Sequence, residues 1–320
     1  MANTTHYFER LHTALRDAKR VLLIAHKKPD GDTTGSSSSV LNWLLREGKD
    51  VTAFCADIPP KNFRYIDNIH LYTNDPSVFD RAYDVVVVFD SGDLRYCGVD
   101  EHMPRLPLGY LLVNIDHHVT NTNFGHVNLV LTDASSTAEV IYRFYDQNNI
   151  HIDPRMATSL LTGLFTDTSN FSNAATNILT VSAAGRLLAA GARKNDILKH
   201  LLHDRTVDSL KLFGTLLSRL RRNAHYDVAT TYLLRSDAED VSPEVLDGVS
   251  NFIGAVLNDA DGILFIRELP GNQVKGSFRS VNRDISRVCK LLGGGGHKKA
   301  AGFTVNGRIV ETAEGPRIVA

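Results

Sequence analysis

Cysteine is scarce in this chain: Cys55, Cys97 and Cys289 are the three in 320 residues, and no CxxC pair occurs. That spacing excludes a disulfide framework and a zinc knuckle, and it suits a reducing cytoplasm. Net charge is equally scarce, since 35 Lys and Arg face 36 Asp and Glu, for a formal charge of −1. No global field therefore gathers nucleic acid, and a nucleotide partner needs a local basic patch. Near-neutrality fits short anionic ligands better than long duplex DNA, which favours basic channels. No window approaches the ~18 consecutive apolar residues of a membrane span. The amphipathic opening, MANTTHYFERLHTALRDAKR, holds no signal-type apolar stretch. No internal repeat is visible. The expectation is a soluble, cytoplasmic chain, away from the membrane and long enough for two domains.

What is present is alternation. Apolar runs at 21–25, 51–54, 83–89 and 110–115 read as strands. Tyr83 to Phe89 is dense in β-branched residues, as expected of a strand buried on both faces of a parallel sheet. Helices are expected near 5–18, from Gly35 and the serines after it to about 47, over 135–148 with capping-box spacing at Ser136 and Glu139, and over 154–165. Strands alternating with helices indicate an α/β fold with a doubly wound, mostly parallel sheet. The pattern turns helical from about 178 to 222. A smaller α+β domain follows, with strands at 228–234, 262–268 and 273–280 and helices near 242–258 and 284–292. We divide the chain into a first domain at 1–190, a helical connection at 191–224 and a second domain at 225–320. The tail, VETAEGPRIVA, reads as poorly ordered.

The chemistry lies at the ends of these elements. The strand at 21–25 stops at His26-Lys27-Lys28-Pro29-Asp30-Gly31-Asp32, where Pro29 and Gly31 force a turn. The strand at 83–89 ends at Asp90, the strand at 110–115 at Asp116-His117-His118, and the helix at 154–165 at Asp167. In open α/β sheets the carboxyl edge of the strands is where ligands sit. Crowded carboxylates repel or stay protonated unless a cation joins them. His26, Asp30, Asp32, Asp90, His117 and Asp167 are too many ligands for one tetrahedral zinc. Their carboxylate-rich character suits manganese or magnesium, with cobalt among the other divalent ions. Six ligands with one shared carboxylate serve two ions, and Asp90 is the natural shared one. Two ions ~3.5–4 Å apart can hold a hydroxide and clamp a phosphate, so the set suits phosphoester hydrolysis. A lone Asp after a strand is usually a turn or cap residue. Four segments ending the same way weigh against that reading.

HKKPDGD, VVVVFDSGD, NIDHH and FTDTSNF, taken in order, resemble the successive motifs of the DHH phosphoesterase superfamily. GSFRS at 276–280 and GGGGHKKAAGF at 293–303 resemble its associated C-terminal domain, type A1. The whole chain looks most like the nanoRNase and pAp phosphatase branch. The resemblance implies two manganese ions, one on His26 and Asp30, the other on Asp32, His117 and Asp167, with Asp90 between them. It implies that His118 and Asp90 act in catalysis, with His118 beside the substrate phosphate, and that Asp116 orients a neighbouring histidine. It implies short oligoribonucleotides and 3′-phosphoadenosine 5′-phosphate as substrates, and makes a homodimer an expectation. Two positions depart from the pattern: Ser169 stands where relatives often carry Gly, and Thr33 where they often carry Ala.

In the second domain, four consecutive glycines let a backbone approach a phosphate closely. Gly294, Gly295, Gly296 and His297 are therefore candidate substrate contacts; the resemblance of GSFRS to the family's substrate-binding strand adds Arg279, where an arginine could grip a terminal phosphate bidentately. Lys275, Arg283, Arg287, Lys298 and Lys299 read mainly as a solvated face. Ser36 caps a helix or touches phosphate. Phe171 and Phe278 are core residues first and stacking surfaces second. His70, His102, His126, His151, His200, His203 and His225 form no convergent pattern. Three classes remain open: the hydrolase, whose runner-up substrate is cyclic di-AMP or its linear product; a nucleotide sensor without turnover; and a scaffold, which leaves the clustered carboxylates unexplained.

Overall fold

The computed structural model describes residues 2–201, 207–237, 260–280, 282–312 and 315–319. The chain divides into two compact units, 1–204 and 205–320. That division falls inside the stretch we read as a helical connection.

In the first unit, α1 (Ala2–Asp17) leads into β1 (Arg20–Ala25), α2 (Gly31–Arg46), β2 (Asp50–Cys55) and the short β3 (Tyr72–Thr73). Then come β4 (Val85–Phe89), α3 (Leu94–Cys97), β5 (Leu111–Asp116), β6 (Val127–Val130), α4 (Thr137–Gln147), α5 (Pro154–Asp167), α6 (Ile178–Ala189) and α7 (Lys194–Leu201). The strands form one parallel sheet in the order β3-β2-β1-β4-β5-β6. The order of travel across the sheet reverses between β1 and β4, which are neighbours in space but far apart in sequence. The carboxyl ends on either side of such a switch open a crevice. Alternation along the strands sorts the core: Val85, Val87 and Phe89 face the layer of α1, α2, α4 and α5, while Val86 and Val88 face Phe79, Cys97 and Met103.

α2 starts at Gly31, ahead of the predicted start at Gly35, because Asp30 caps it by accepting from the amides of Asp32 and Thr33. It is buried from Gly31 to Leu44 despite its serines. The hydroxyls are satisfied locally: Ser36 donates to the Asp32 carbonyl at 2.7 Å and Ser37 to that of Thr33 at 2.5 Å. Ser36 is thus an interior helix residue, neither a cap nor open to phosphate. α2 runs against α5 with no room to spare. A Cβ on Gly35 would lie 2.3 Å from the Ser159 carbonyl, and one on Gly163 2.7 Å from Asp32 Oδ1. At the start of α4, Ser136 accepts from the Glu139 amide as expected, but the Glu139 carboxylate takes the amide and hydroxyl of Ser135 rather than closing a capping box.

The second unit contains α8 (Val207–Ser218), β7 (Arg221–Asn223), β8 (Val228–Leu233), β9 (Gly262–Leu269), β10 (Gln273–Ser280), α9 (Ser286–Leu291), β11 (Gly295–His297), β12 (Ala300–Asn306), β13 (Arg308–Thr312) and β14 (Gly315–Val319). Six of these strands form a mixed sheet in the order β11-β12-β10-β9-β8-β7. The helix expected at 242–258 lies outside the described residues, as does His203. The tail read as disordered is instead the β13–β14 hairpin. No helix among the described residues is long and apolar enough to cross a membrane.

Candidate metal centre

The carboxyl ends of β1, β4 and β5 and the ends of two helices deliver all six predicted ligands to one place. β1 delivers His26, which is buried. Its Nδ1 lies 2.8 Å from the Lys27 carbonyl, which can only accept, so the proton sits on Nδ1 and Nε2 is left facing the site. That Nε2 lies 3.6 Å from Asp30 Oδ1 and 3.5 Å from Asp90 Oδ2. Asp90 ends β4 in a left-handed conformation, φ 55°, which Asp tolerates better than most residues, and its amide still pairs with the Ile115 carbonyl of β5. His117 follows β5. Its Nε2 is 3.6 Å from Asp90 Oδ1, 3.5 Å from Asp167 Oδ2 and 4.0 Å from Asp32 Oδ2.

Ligand atoms gather in three overlapping groups: the triads His26-Asp30-Asp90 and Asp32-His117-Asp167, which contain all six predicted ligands, and Asp90-Asp116-His117-His118, which joins them through Asp90 and His117. His117 Nε2 is buried without a hydrogen-bond partner. A buried ring nitrogen facing three carboxylates, each at or beyond hydrogen-bond length, is a costly arrangement unless a cation joins them. Ligands held at about 2.1 Å on one octahedral ion stand roughly 3–4 Å apart, so the observed spacings match such an ion. The residues fit a divalent metal.

The electrostatics agree. Burial, then the charges of Asp90, Asp167 and Asp30, pushes the Asp32 carboxyl well above the ordinary carboxylate range. Burial outweighs the pull of His117 and lifts Asp167 to about 6. Burial opposes a charge on His26, but hydrogen bonds and attraction from Asp30 and Asp90 raise it to about 10. Protons thus hold together what a cation would otherwise hold.

Other groups fix these ligands. Asp32 accepts from the backbone amides of Thr137 at 2.6 Å and Ala138 at 2.9 Å, at the N-terminus of α4. The Thr137 hydroxyl donates to Asp90 Oδ1 at 2.9 Å. Asp116 is buried and accepts from the His117 amide, from His118 Nδ1 at 2.7 Å and from Asn121. His118 therefore carries its Nδ1 proton toward Asp116 and leaves Nε2 free, while the residue stays half exposed. The bond to Asp116 is the main reason its imidazole rises to about 9. Thr137, Asn121 and Tyr96 were missed in the sequence. Tyr96 packs its ring 4.9 Å from that of His26. Thr137 had a visible signal, the capping segment SSTAE; Asn121 and Tyr96 had none.

In the second unit, Arg279 is half-buried on β10, opposite Ala300 and Ile263. One of its Nη groups donates to the Phe278 carbonyl. The glycine run is not a loose phosphate loop. The Gly294 amide is already bonded to the Cys289 carbonyl at 2.8 Å, and Gly295 and Gly296 lie in β11. A Cβ on Gly294 would come 2.1 Å from the Gly302 carbonyl, and on Gly296, 2.6 Å from that of Ala300. Close approach of β11 to β12 accounts for those two glycines, and Gly295 alone of the three faces open space. The structure describes His297 by its backbone in β11. Phe278 and Phe171 pack against the hydrophobic clusters of their own units.

Residues 20–164 match the DHH family, N-terminal domain, and residues 225–314 the DHHA1 domain. A protein of Thermus thermophilus named bifunctional oligoribonuclease and PAP phosphatase NrnA is 28% identical, over 96% of this chain and 92% of that one. The protein of the same name from Bacillus subtilis is 24% identical, over 89% of each. The crystal structure of an exopolyphosphatase-related protein from Bacteroides fragilis superposes with a TM-score of 0.84 at 22% identity, over 93% of this chain and 90% of that one, and shares the fold. The chain belongs to the DHH phosphoesterase superfamily, on its NrnA-like branch.

Proposed function

We propose that this protein hydrolyses short oligoribonucleotides from an end, and 3′-phosphoadenosine 5′-phosphate, with two manganese ions. The observation that carries the reading is the pair of Asp/His triads meeting at Asp90, with His117 Nε2 buried and unpartnered between carboxylates. The names of the NrnA relatives supply the substrate class. Bound divalent ions would supply Lewis acidity and a water of lowered pKa. His26, Asp30 and Asp90 would hold one ion, and Asp32, His117 and Asp167 the other. Thr137 keeps Asp90 oriented, and the α4 amides keep Asp32 in place. His118 is fixed through Nδ1 by Asp116, so its Nε2–H points away from that bond and can donate to a phosphate or leaving oxygen. Arg279, Gly295 and His297 are the substrate contacts that the second unit would contribute in this proposal.

Purified protein with manganese, tested on pAp, pApA, cyclic di-AMP and longer RNA, decides among the readings. Release of phosphate from pAp and of mononucleotides from pApA is the expected result. Preference for cyclic di-AMP would favour the alternative phosphodiesterase, and metal binding without turnover would favour a sensor. Asp90→Ala, folded, is expected to lose at least ~100-fold of activity, since a shared ligand cannot be replaced by one neighbour. A homodimer is part of the proposal, supported by Ile178, Val181 and Leu188, which α6 exposes around Gly185; light scattering tests it. A cytoplasmic setting is supported by three free, buried cysteines.

A further inference from the structure

Tyr96 is out of place as a core residue. It follows β4 on the short helix α3, and 52% of it is exposed. Among the described residues, the exposed large aromatics are Tyr96 and Tyr226, and Tyr226 belongs to the second unit. Tyr96 is held firmly for so exposed a side chain. Its amide donates to Asp93 Oδ1 at 2.7 Å, and the next residue, Cys97, is wholly buried. One part of its ring lies against the His26 imidazole, with centroids 4.9 Å apart and planes tilted by 48°. The remainder is open at the rim of the metal centre. Such a ring offers a fixed apolar face beside the place where a phosphate would sit.

We infer that Tyr96 contacts the substrate, its open ring face taking the planar base of the nucleotide whose phosphate lies at the metal centre. This rests on the reading that nucleotides are the substrates. A base stacked on an aromatic ring is worth ~1–3 kcal/mol, roughly a 5- to 150-fold change in binding. The contact suits any base, because every base has a π-face, and it accounts for a ring left uncovered on a short helix beside the site.

Steady-state kinetics of wild type, Tyr96→Phe and Tyr96→Ala on pApA, and on the same dinucleotide with an abasic site, test this with manganese present. Tyr96→Ala is expected to raise KM for pApA about 10-fold with kcat within about 2-fold. Tyr96→Phe should match wild type, and the abasic substrate should not distinguish the three proteins. Loss of kcat at unchanged KM, or equal loss on the abasic substrate, would overturn the inference and leave Tyr96 as a residue that positions His26. Binding of AMP against ribose 5-phosphate, measured by calorimetry on the same proteins, reads the stack even if no dinucleotide is cleaved. A preference for AMP that disappears in Tyr96→Ala supports the inference, and one that persists refutes it. Absence of turnover in wild type beside a Tyr96-dependent AMP preference would count against the proposed reaction alone.

Discussion

Asp167→Asn tests whether the centre is built for a cation at the expense of the bare fold. In metal-free protein the Asp167 carboxyl titrates near 6 against an ordinary 3.8, because of burial and the neighbouring Asp90 and Asp30 charges. A carboxyl raised in the folded state contributes full stability below the unfolded value and loses it as pH climbs through the folded one. That gap corresponds to about 3 kcal/mol at 1.36 kcal/mol per pH unit. Asp167 keeps 32% of its side-chain surface exposed, and water screens it, so ~1–2 kcal/mol is the realistic penalty above pH 6. Asparagine carries no charge and avoids it. With chelator at pH 7, Asp167→Asn should therefore melt roughly 2–8 °C above wild type, at 2–4 °C per kcal/mol for a unit of this size. The advantage should shrink below pH 6 and vanish near pH 4. Saturating manganese should invert the order, since wild type gains binding energy that the variant has partly lost. Calorimetric melts across pH 4–8, with chelator and with metal, check this. A variant less stable than wild type in chelator at pH 7, or equally favoured at pH 4, would refute the reasoning.

Gly163→Ala places a methyl 2.6 Å from the Ala138 Cβ and 2.7 Å from Asp32 Oδ1, so it should cost roughly 1–3 kcal/mol and weaken the melting shift produced by manganese; an unchanged shift would show that α2 and α5 can separate without moving Asp32. Asp116→Asn should lower the His118 titration from about 9 toward 6.5, read from imidazole carbon shifts in metal-free protein, because its strongest partner is that carboxylate; a midpoint left near 9 would contradict the assignment. Ser169 sits at φ 50°, a left-handed conformation costing a side-chain-bearing residue ~1–2 kcal/mol, against ~0.5–1 kcal/mol of extra unfolded-state entropy for glycine. Ser169→Gly should accordingly raise the melting temperature by roughly 1–4 °C, and a fall would show that the serine makes compensating contacts.

The candidate ligands were legible because strand ends in a parallel sheet are announced by abrupt polarity. Val21 to Ala25 and Val85 to Phe89 are apolar, and His26 and Asp90 follow at once. Less was legible where tertiary contact decides the outcome. β6 is four residues long and β3 two, too short for periodicity to register, and both form by pairing onto neighbours already in place. The glycines at 293–296 looked like a phosphate loop, yet two of them exist to let β11 approach β12. Residues 310–312 and 315–319, now paired in β13 and β14, looked like a frayed tail, since Gly315-Pro316 and the charges beside it mark a turn as readily as disorder.

The hardest feature to read was how Asp32 and Asp167 reach the same candidate site as His117. Neither lies at a strand end. Asp32 sits in the first turn of α2 and Asp167 closes α5, so the two helices must run antiparallel in contact, the start of one beside the end of the other. Three glycines permit it. A Cβ at Gly31 would meet the Thr166 side chain at 2.4 Å, at Gly35 the Ser159 carbonyl at 2.3 Å, and at Gly163 the Asp32 carboxylate itself. In a soluble protein such proximity forfeits the apolar burial that larger side chains would give, and it seats four serines inside a core where each hydroxyl needs an acceptor. Stability alone does not favour that exchange. It makes sense if the distance between two carboxylates is what the helix pair is built to fix, so the glycines and serines of α2 and α5 belong to the candidate metal centre as much as the six predicted ligands do.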